Sequence, residues 1–291
     1  MSRSRTTPVG YLFLLPACLL LLVFRVVPAL SAVWHSLTEW DGTSAARFIG
    51  LANFARLLSD GAFWSAVGNN LLVAASIPLW ILASLVLALL IHQETFGWRF
   101  FRAAYFLPSV LSPVIIGALF TAILGQDGPV EGALNTVGLR SIEHGWLGNP
   151  STALPTIVLV ILWGVFGHGV IVFLAGLAAV PKEIFEAARL DGATGWRFLW
   201  YVVIPSLRHV IEFWGVNLVV WSFTSLFAFV YVMTSGGPGY RTMLVSYLVW
   251  QEAFEAEKQM GYACAIGTAL FLMVFGLVLL QIRLMAGGEE E

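Results

Sequence analysis

LPTIVLVILWGVFGHGVIVFLAGLAAV, residues 154–180, decides what kind of fold this chain adopts. It is apolar almost throughout and exceeds the ~20 residues a helix needs to cross bilayer hydrocarbon. Five further stretches read the same way, over 11–32, 66–91, 103–124, 209–233 and 262–284. The first is too long for a cleaved signal peptide and lacks an Ala-x-Ala-type site, so it reads as a retained span. Composition agrees: hydrophobic residues are 59% and charged residues 11% of the 291, against ~45–50% and ~25% in soluble domains. So few charges could not cover a soluble body, and the expected fold class is all-α: a polytopic membrane protein of about six transmembrane helices, one domain over 1–291. A net charge of −2 argues against a nucleic-acid partner, which wants a strongly basic face. Cys18 and Cys264 lie in apolar runs, and no His, Cys, Asp or Glu cluster has metal spacing.

Turn chemistry and most charges fall between the spans: Asp41-Gly42, Gly125 to Pro129, Gly148-Asn149-Pro150 and Gly236-Gly237-Pro238-Gly239. With the N-terminus inside, the cytoplasmic side carries nine cations: Arg3, Arg5, Arg99, Arg102, Lys182, Arg189, Arg197, Arg208 and Arg283. The other side carries five, Arg47, Arg56, Arg140, Arg241 and Lys258. The positive-inside bias therefore predicts both termini in the cytoplasm, the acidic end Glu289-Glu290-Glu291 included.

One inside loop, 181–208, is longer than a connection needs. Pro181 suits a first helical position and Glu183 the positive helix end. Ala187, Ala188, Arg189 and Leu190 are good helix formers, and Asp191-Gly192 is a stop. A second helical stretch, 194–201, carries Trp196, Phe198, Leu199 and Trp200 before Pro205. Two readings fit. The first helix could lie in a groove of another protein, with small Ala187 and Ala188 permitting close approach and Phe185 as anchor. Alternatively the loop lies on lipid headgroups, with Trp196 and Trp200 at the interface.

The spacing Glu186-Ala187-Ala188, three residues, Gly192, nine residues, then Val202-x-Ile204-Pro205 resembles the EAA loop of ATP-binding-cassette importer permeases. Val202 and Ile204 stand where that pattern has Ile and Leu. Other blocks resemble carbohydrate-type permeases of the maltose and glycerol-3-phosphate kind. They are Tyr11 to Ala17, Phe48-Ile49-Gly50-Leu51-Ala52-Asn53-Phe54, Phe106-Leu107-Pro108 with Ser112-Pro113-Val114, and Thr234-Ser235-Gly236-Gly237-Pro238-Gly239. The large periplasmic insertion of the maltose protein is absent.

The resemblance implies a type I importer permease fold with a cytoplasmic coupling helix in the bacterial inner membrane. The chain would form half of the pathway for a sugar or sugar-like solute. Its implied partners are a second homologous permease, two copies of an ATPase, an extracytoplasmic solute-binding protein and the lipid bilayer. No cofactor is expected on this chain; ATP and Mg would sit on the ATPase. Neither Lys182 nor Lys258 stands in a P-loop, so the chain itself is expected not to be an enzyme. Glu186 would contact the ATPase, Ala187 and Ala188 would pack beside it, Gly192 would make the turn with Asp191 in the coupling site, and Arg189 would add an electrostatic contact there unless it is simply a solvated cation.

The fifth span supplies the candidate substrate path: Asn217, Trp221, Ser222, Thr224 and Ser225, hydroxyls and an amide beside aromatic faces that suit a sugar. Bonding to their own helix backbone is the other reading of these hydroxyls. Of two in-span charges, snorkelling accounts for Arg25 and Glu212. His168 reads as structural, beside Gly164, Gly167 and Gly169, which suggest close helix packing or a flexible point. The alternative function is an ion-gradient-driven secondary transporter, which needs buried carboxylates and similar halves.

Overall fold

The computed structural model of the protein describes residues 8–93, 96–126, 128–138, 143–255 and 258–286. Arg3, Arg5, Arg140 and the acidic end Glu289 to Glu291 of the charge count lie outside them, as does Asp127 in the turn before Pro129. The architecture is helical, with one two-residue ribbon. Helix α1 runs Pro8–Leu21 and continues through a π turn at Leu22–Val26 into Val27–His35. Strands β1 (Thr38–Glu39) and β2 (Arg47–Phe48) pair antiparallel. Then follow α2 (Ala52–Ser59), α3 (Gly61–Ala75), α4 (Ile77–His92), α5 (Trp98–Val110), α6 (Pro113–Leu124) and α7 (Pro129–Thr136). The long α8 (Ala153–Ala179) leads to α9 (Lys182–Leu190), α10 (Arg208–Thr224), α11 (Phe227–Met233), α12 (Val245–Trp250) and α13 (Met260–Ala286). Among the described residues five helical stretches are long and apolar enough to cross a membrane, or six if one bent pair counts as a single span.

Prolines set several boundaries. Pro28 and Pro205 cannot donate to the carbonyls four residues earlier, Phe24 and Tyr201, and each of those lies inside a π turn, Leu22–Val26 and Leu199–Val203. The sequence reads one span over 103–124, but the chain breaks there. Ser112 is extended at φ −62°, ψ 140° ahead of Pro113, which disfavours helix in the residue before it.

The chain divides into two compact units, Met1–Asp60 with Val249–Phe271 and Gly61–Leu248 with Leu272–Glu291. In the first, Asn53 Nδ2 donates to the carbonyls of Ser36 and Thr38, both at 2.9 Å. The Gly261 N–H donates to the Trp40 carbonyl at 2.9 Å, and a Cβ at Gly261 would meet the Thr38 carbonyl at 2.1 Å. The ribbon therefore needs glycine there. Tyr262 Oη donates to Asp60 at 2.5 Å and Arg56 stacks 3.8 Å over the Tyr262 ring. At Asp41 the N–H groups of Ser44 and Thr43 hold the carboxyl well below the usual carboxylate range.

The second unit is built around α8. Glycines bring neighbouring helices against it: a Cβ at Gly169 would lie 2.5 Å from Ser84 Oγ on α4, and one at Gly167 2.6 Å from the Tyr105 carbonyl on α5. Close packing, not flexibility, is what the glycines around His168 supply. The buried cluster joins Leu85, Ala88 and Ile91 of α4 to Val170, Phe173 and Leu177 of α8 and to Phe198, Leu199, Val203 and Leu207.

Candidate coupling helix and membrane cavity

α8 ends where Val180 turns extended at ψ 130°, and Pro181 caps the next helix from outside its first turn. Glu183 in the first turn of α9 and Arg189 in the last complement the helix dipole. The stop is a Schellman motif: Ala193 N–H donates to the Ala188 carbonyl at 2.9 Å and Gly192 N–H to the Arg189 carbonyl at 3.1 Å. Gly192 has φ +79°, a conformation that costs any side chain roughly 1–2 kcal/mol. Asp191 is the exposed residue between helix and glycine.

α9 has two faces. Phe185 is 9% exposed, its ring 5.7 Å from Phe198 and 6.1 Å from His92, and it belongs to the buried cluster, against which Ala188 also packs. Glu186, Ala187, Arg189 and Leu190 are exposed, Leu190 at 90%. Phe185 therefore anchors the helix to its own bundle and is not presented to another protein, which corrects the anchor reading. Residues 185 and 188 share one stripe of the helix, and 186, 187 and 190 share the opposite one. Leu190 and Ile184 are the large apolar side chains left outward. A shallow cavity of about 170 Å³ beside α9 is lined by Lys182, Glu186 and Arg189 together with His92, Phe185 and Phe198.

Beyond Gly192 the chain forms a short helix Gly195–Phe198, the π turn, and Ile204–Ser206, then bends 79° into α10. Phe198 and Leu199 are buried; Trp196 and Trp200 are 65% and 54% exposed. The loop is a capped helix with an outward face, followed by a cross-helix with outward tryptophans.

A cavity of about 310 Å³ lies between α5, α6, α8 and α10. Asn217 and Trp221 line it with Trp214, Ser109 and Phe229, and so does His168. His168 is exposed on the cavity wall. Asn217 Nδ2 donates to the Phe213 carbonyl at 2.8 Å. Thr224 and Ser225 are exposed at the end of α10, with the Thr224 hydroxyl 2.8 Å from the Val220 carbonyl and 3.2 Å from Ser225 Oγ. Ser222 stands apart. It is fully buried and its hydroxyl donates to the Val219 carbonyl at 2.8 Å, so within this chain it serves its own helix and not a path. The fifth span is also discontinuous: α10 ends at Thr224 and α11 begins at Phe227.

The polar residue that span-by-span reading missed is Asn70 of α3, fully buried. Its Nδ2 donates to the Ser222 carbonyl at 3.0 Å and its Oδ1 accepts from the Val245 N–H at 2.9 Å. Beside it Asn69 donates to the Tyr240 and Met243 carbonyls at 2.8 and 2.9 Å. The signal available in the sequence was an amide pair inside an apolar run. Glu212 likewise does not merely snorkel: Arg208 Nε donates to it at 2.7 Å, and Arg208 also reaches the Met285 carbonyl.

Apolar helices of spanning length, a largely apolar cavity with a few polar groups among them, and a capped helix between two spans define a helical membrane protein. Residues 80–285 match the family described as "Binding-protein-dependent transport system inner membrane component". The chain belongs to that family and is a transport permease, not an enzyme. It is 33% identical to "Probable ABC transporter permease protein YurN" of Bacillus subtilis, over 97% of this chain and 98% of that protein. It is 32% identical to the lactose transport system permease protein LacF of Rhizobium radiobacter, over 94% of this chain and 92% of that protein. A chain in the crystal structure of a bacterial alginate ABC transporter, in complex with an alginate pentasaccharide-bound periplasmic protein, shares the fold. Its TM-score is 0.81 at 21% identity, covering 94% of this chain and 92% of that one.

Proposed function

We propose that this chain forms half of the translocation pathway of a carbohydrate importer, paired with a second homologous permease. A solute-binding protein outside would deliver substrate, and two copies of a separate ATPase, holding ATP and Mg, would drive transport. Both termini and α9 lie on the cytoplasmic side in this reading. The observation that carries it is α9: a helix clamped at its base by Phe185 and capped at Gly192, whose outer face offers Glu186, Ala187, Arg189 and Leu190. A rigid, clamped helix transmits displacement, as coupling between two discrete packings requires. Closure of the ATPase pair would push α9, and through Phe185 the shared cluster of α4 and α8, switching access to the cavity at Asn217, His168 and Trp221. Lactose and alginate in the names of similar proteins support a sugar, as does an aromatic wall with sparse amide and hydroxyl groups.

The test is ATP-dependent sugar uptake in proteoliposomes containing the chain with its co-purified partners. Glu186→Lys should abolish uptake while leaving the protein inserted at its normal level; unchanged uptake removes the coupling role. The rival proton-driven reading has one foothold, Glu131 of α7, 2% exposed and with both carboxylate oxygens lacking a hydrogen-bond partner among the described residues. Collapsing the proton gradient while ATP is maintained separates the two, because complete loss of uptake supports the rival.

A further inference from the structure

A second groove, about 620 Å³ in volume, runs between α5 and α8, sharing no lining residue with the cavity at Asn217. On α5 it is lined by Arg99, Arg102, Ala103 and Phe106, spaced i, i+3, i+4, i+7; on α8 by residues 167, 170, 171, 174 and 175, the same spacing continued. Each set is one face of its helix. The groove closes where Gly167 lets the helices touch: a Cβ there would meet the Tyr105 carbonyl at 2.6 Å and Ser109 Oγ at 2.8 Å. From that point to Ala175 it extends roughly 12 Å along α8 at 1.5 Å per residue. Its walls are aliphatic and aromatic, and among the described residues the charges lining it are the two guanidinium groups of Arg99 and Arg102. No carboxylate lines it among the described residues.

We propose that this groove holds one anionic phospholipid, its phosphate between Arg99 and Arg102 and an acyl chain along Phe106, Val170, Ile171 and Leu174. Charge complementarity selects the occupant. Two arginines beside an apolar slot that no described carboxylate lines match a negatively charged headgroup on a hydrocarbon tail, and basic pockets between transmembrane helices bind such headgroups. The depth also fits. Trp98, next to Arg99, packs on the cluster that holds Phe198 and Leu199. The same cross-helix exposes Trp196 and Trp200, the residues that mark headgroup level. Arg99 lies 5.4 Å from the Trp98 ring centroid, close enough for a cation–π contact to hold its stem.

The experiment is native mass spectrometry of the chain with its co-purified partners, delipidated and then titrated with phosphatidylglycerol or with phosphatidylcholine of the same acyl composition. The wild type should retain one phosphatidylglycerol in preference to phosphatidylcholine. R99Q/R102Q should weaken that retention roughly thirtyfold, two surface-level charges' worth, while R99K/R102K keeps most of it. Ala175→Phe, which fills the groove and leaves both arginines, should also lower retention. Equal retention of the two lipids, or undiminished retention by R99Q/R102Q, overturns the proposal. So does a wild type that binds neither lipid, as when a partner permease helix occupies the groove. The readout is lipid bound and not solute moved, so it stands or fails separately from the coupling role of α9.

Discussion

Asn70 shows what one side chain does inside this membrane protein. α10 stops at Thr224, so its last carbonyls lose their helical partners, and no water is at hand in the hydrocarbon to replace them. Asn70 serves one of them, at Ser222, and with its other atom takes the first amide of α12, at Val245. One amide group thus closes the break in the fifth span and ties the following segment to α3. Asn70→Leu, similar in volume, leaves both backbone groups buried and unpaired at a cost of about 1–3 kcal/mol each. The expected outcome is a lower apparent Tm in detergent for Asn70→Leu than for Asn69→Leu, whose hydrogen bonds to Tyr240 and Met243 are exposed and half-buried. Equal Tm values would show that Asn70 is not the main tie. Glu186 belongs to this scale too. Its motif made it legible in the sequence because charge, spacing and a glycine stop are local properties, whereas the partners of Asn70 lie more than 150 positions away.

At the scale of the element, α9 is short, and nine residues do not hold a helix in water unaided. Its persistence comes from Phe185 in the cluster with Phe198, Leu177 and Ile91 and from the Schellman stop. Phe185→Ala removes the clamp; comparable truncations of buried Phe cost ~3–5 kcal/mol. The expectation is uncoupling without loss of insertion: amide hydrogen exchange across Lys182–Leu190 rises, and ATP-dependent uptake falls severalfold or more. Leu190→Ala, on the outward face, should leave exchange unchanged and weaken only the association with the ATPase, measured by co-purification. If Phe185→Ala leaves exchange in α9 unchanged, the clamp is elsewhere. α8 presents the complementary case. Gly169→Leu would drive a side chain into Ser84 of α4, where even a Cβ lies 2.5 Å from Oγ. That substitution should abolish accumulation of folded protein in the membrane, read by fluorescence-detected size exclusion.

At the scale of the whole molecule, breaks in the spans matter as much as the spans. The third reads as 103–124 and is interrupted at Leu111 and Ser112; the fifth reads as 209–233 and is interrupted at Ser225 and Leu226. Non-helical backbone at membrane depth is tolerated where it is buried in protein or lines a cavity; Leu111 of the first break lines the cavity at Asn217 and Trp221, and Leu226 of the second is fully buried. Thr224→Trp combined with Ser225→Trp, both exposed beside the second break, should block sugar uptake while assembly with the partner subunits persists. His168→Phe should lower uptake without lowering the protein's abundance. If both variants transport normally, the solute does not pass this face.

Residue chemistry along the chain was enough for what depends on composition and local spacing. Apolar runs longer than a bilayer is thick dictate helices, because in hydrocarbon each backbone group must be satisfied within its own segment. The Glu186-to-Gly192 pattern likewise dictates a capped helix between two of them. Three-dimensional packing alone decided which side of each element faces what. It turned Phe185 inward and Leu190 outward, withdrew Ser222 from the cavity while placing His168 in it, and gave Asn70 its two distant partners. Those outcomes depend on where neighbouring helices happen to cross, and in a span that is apolar all round the sequence carries no polar face to announce it.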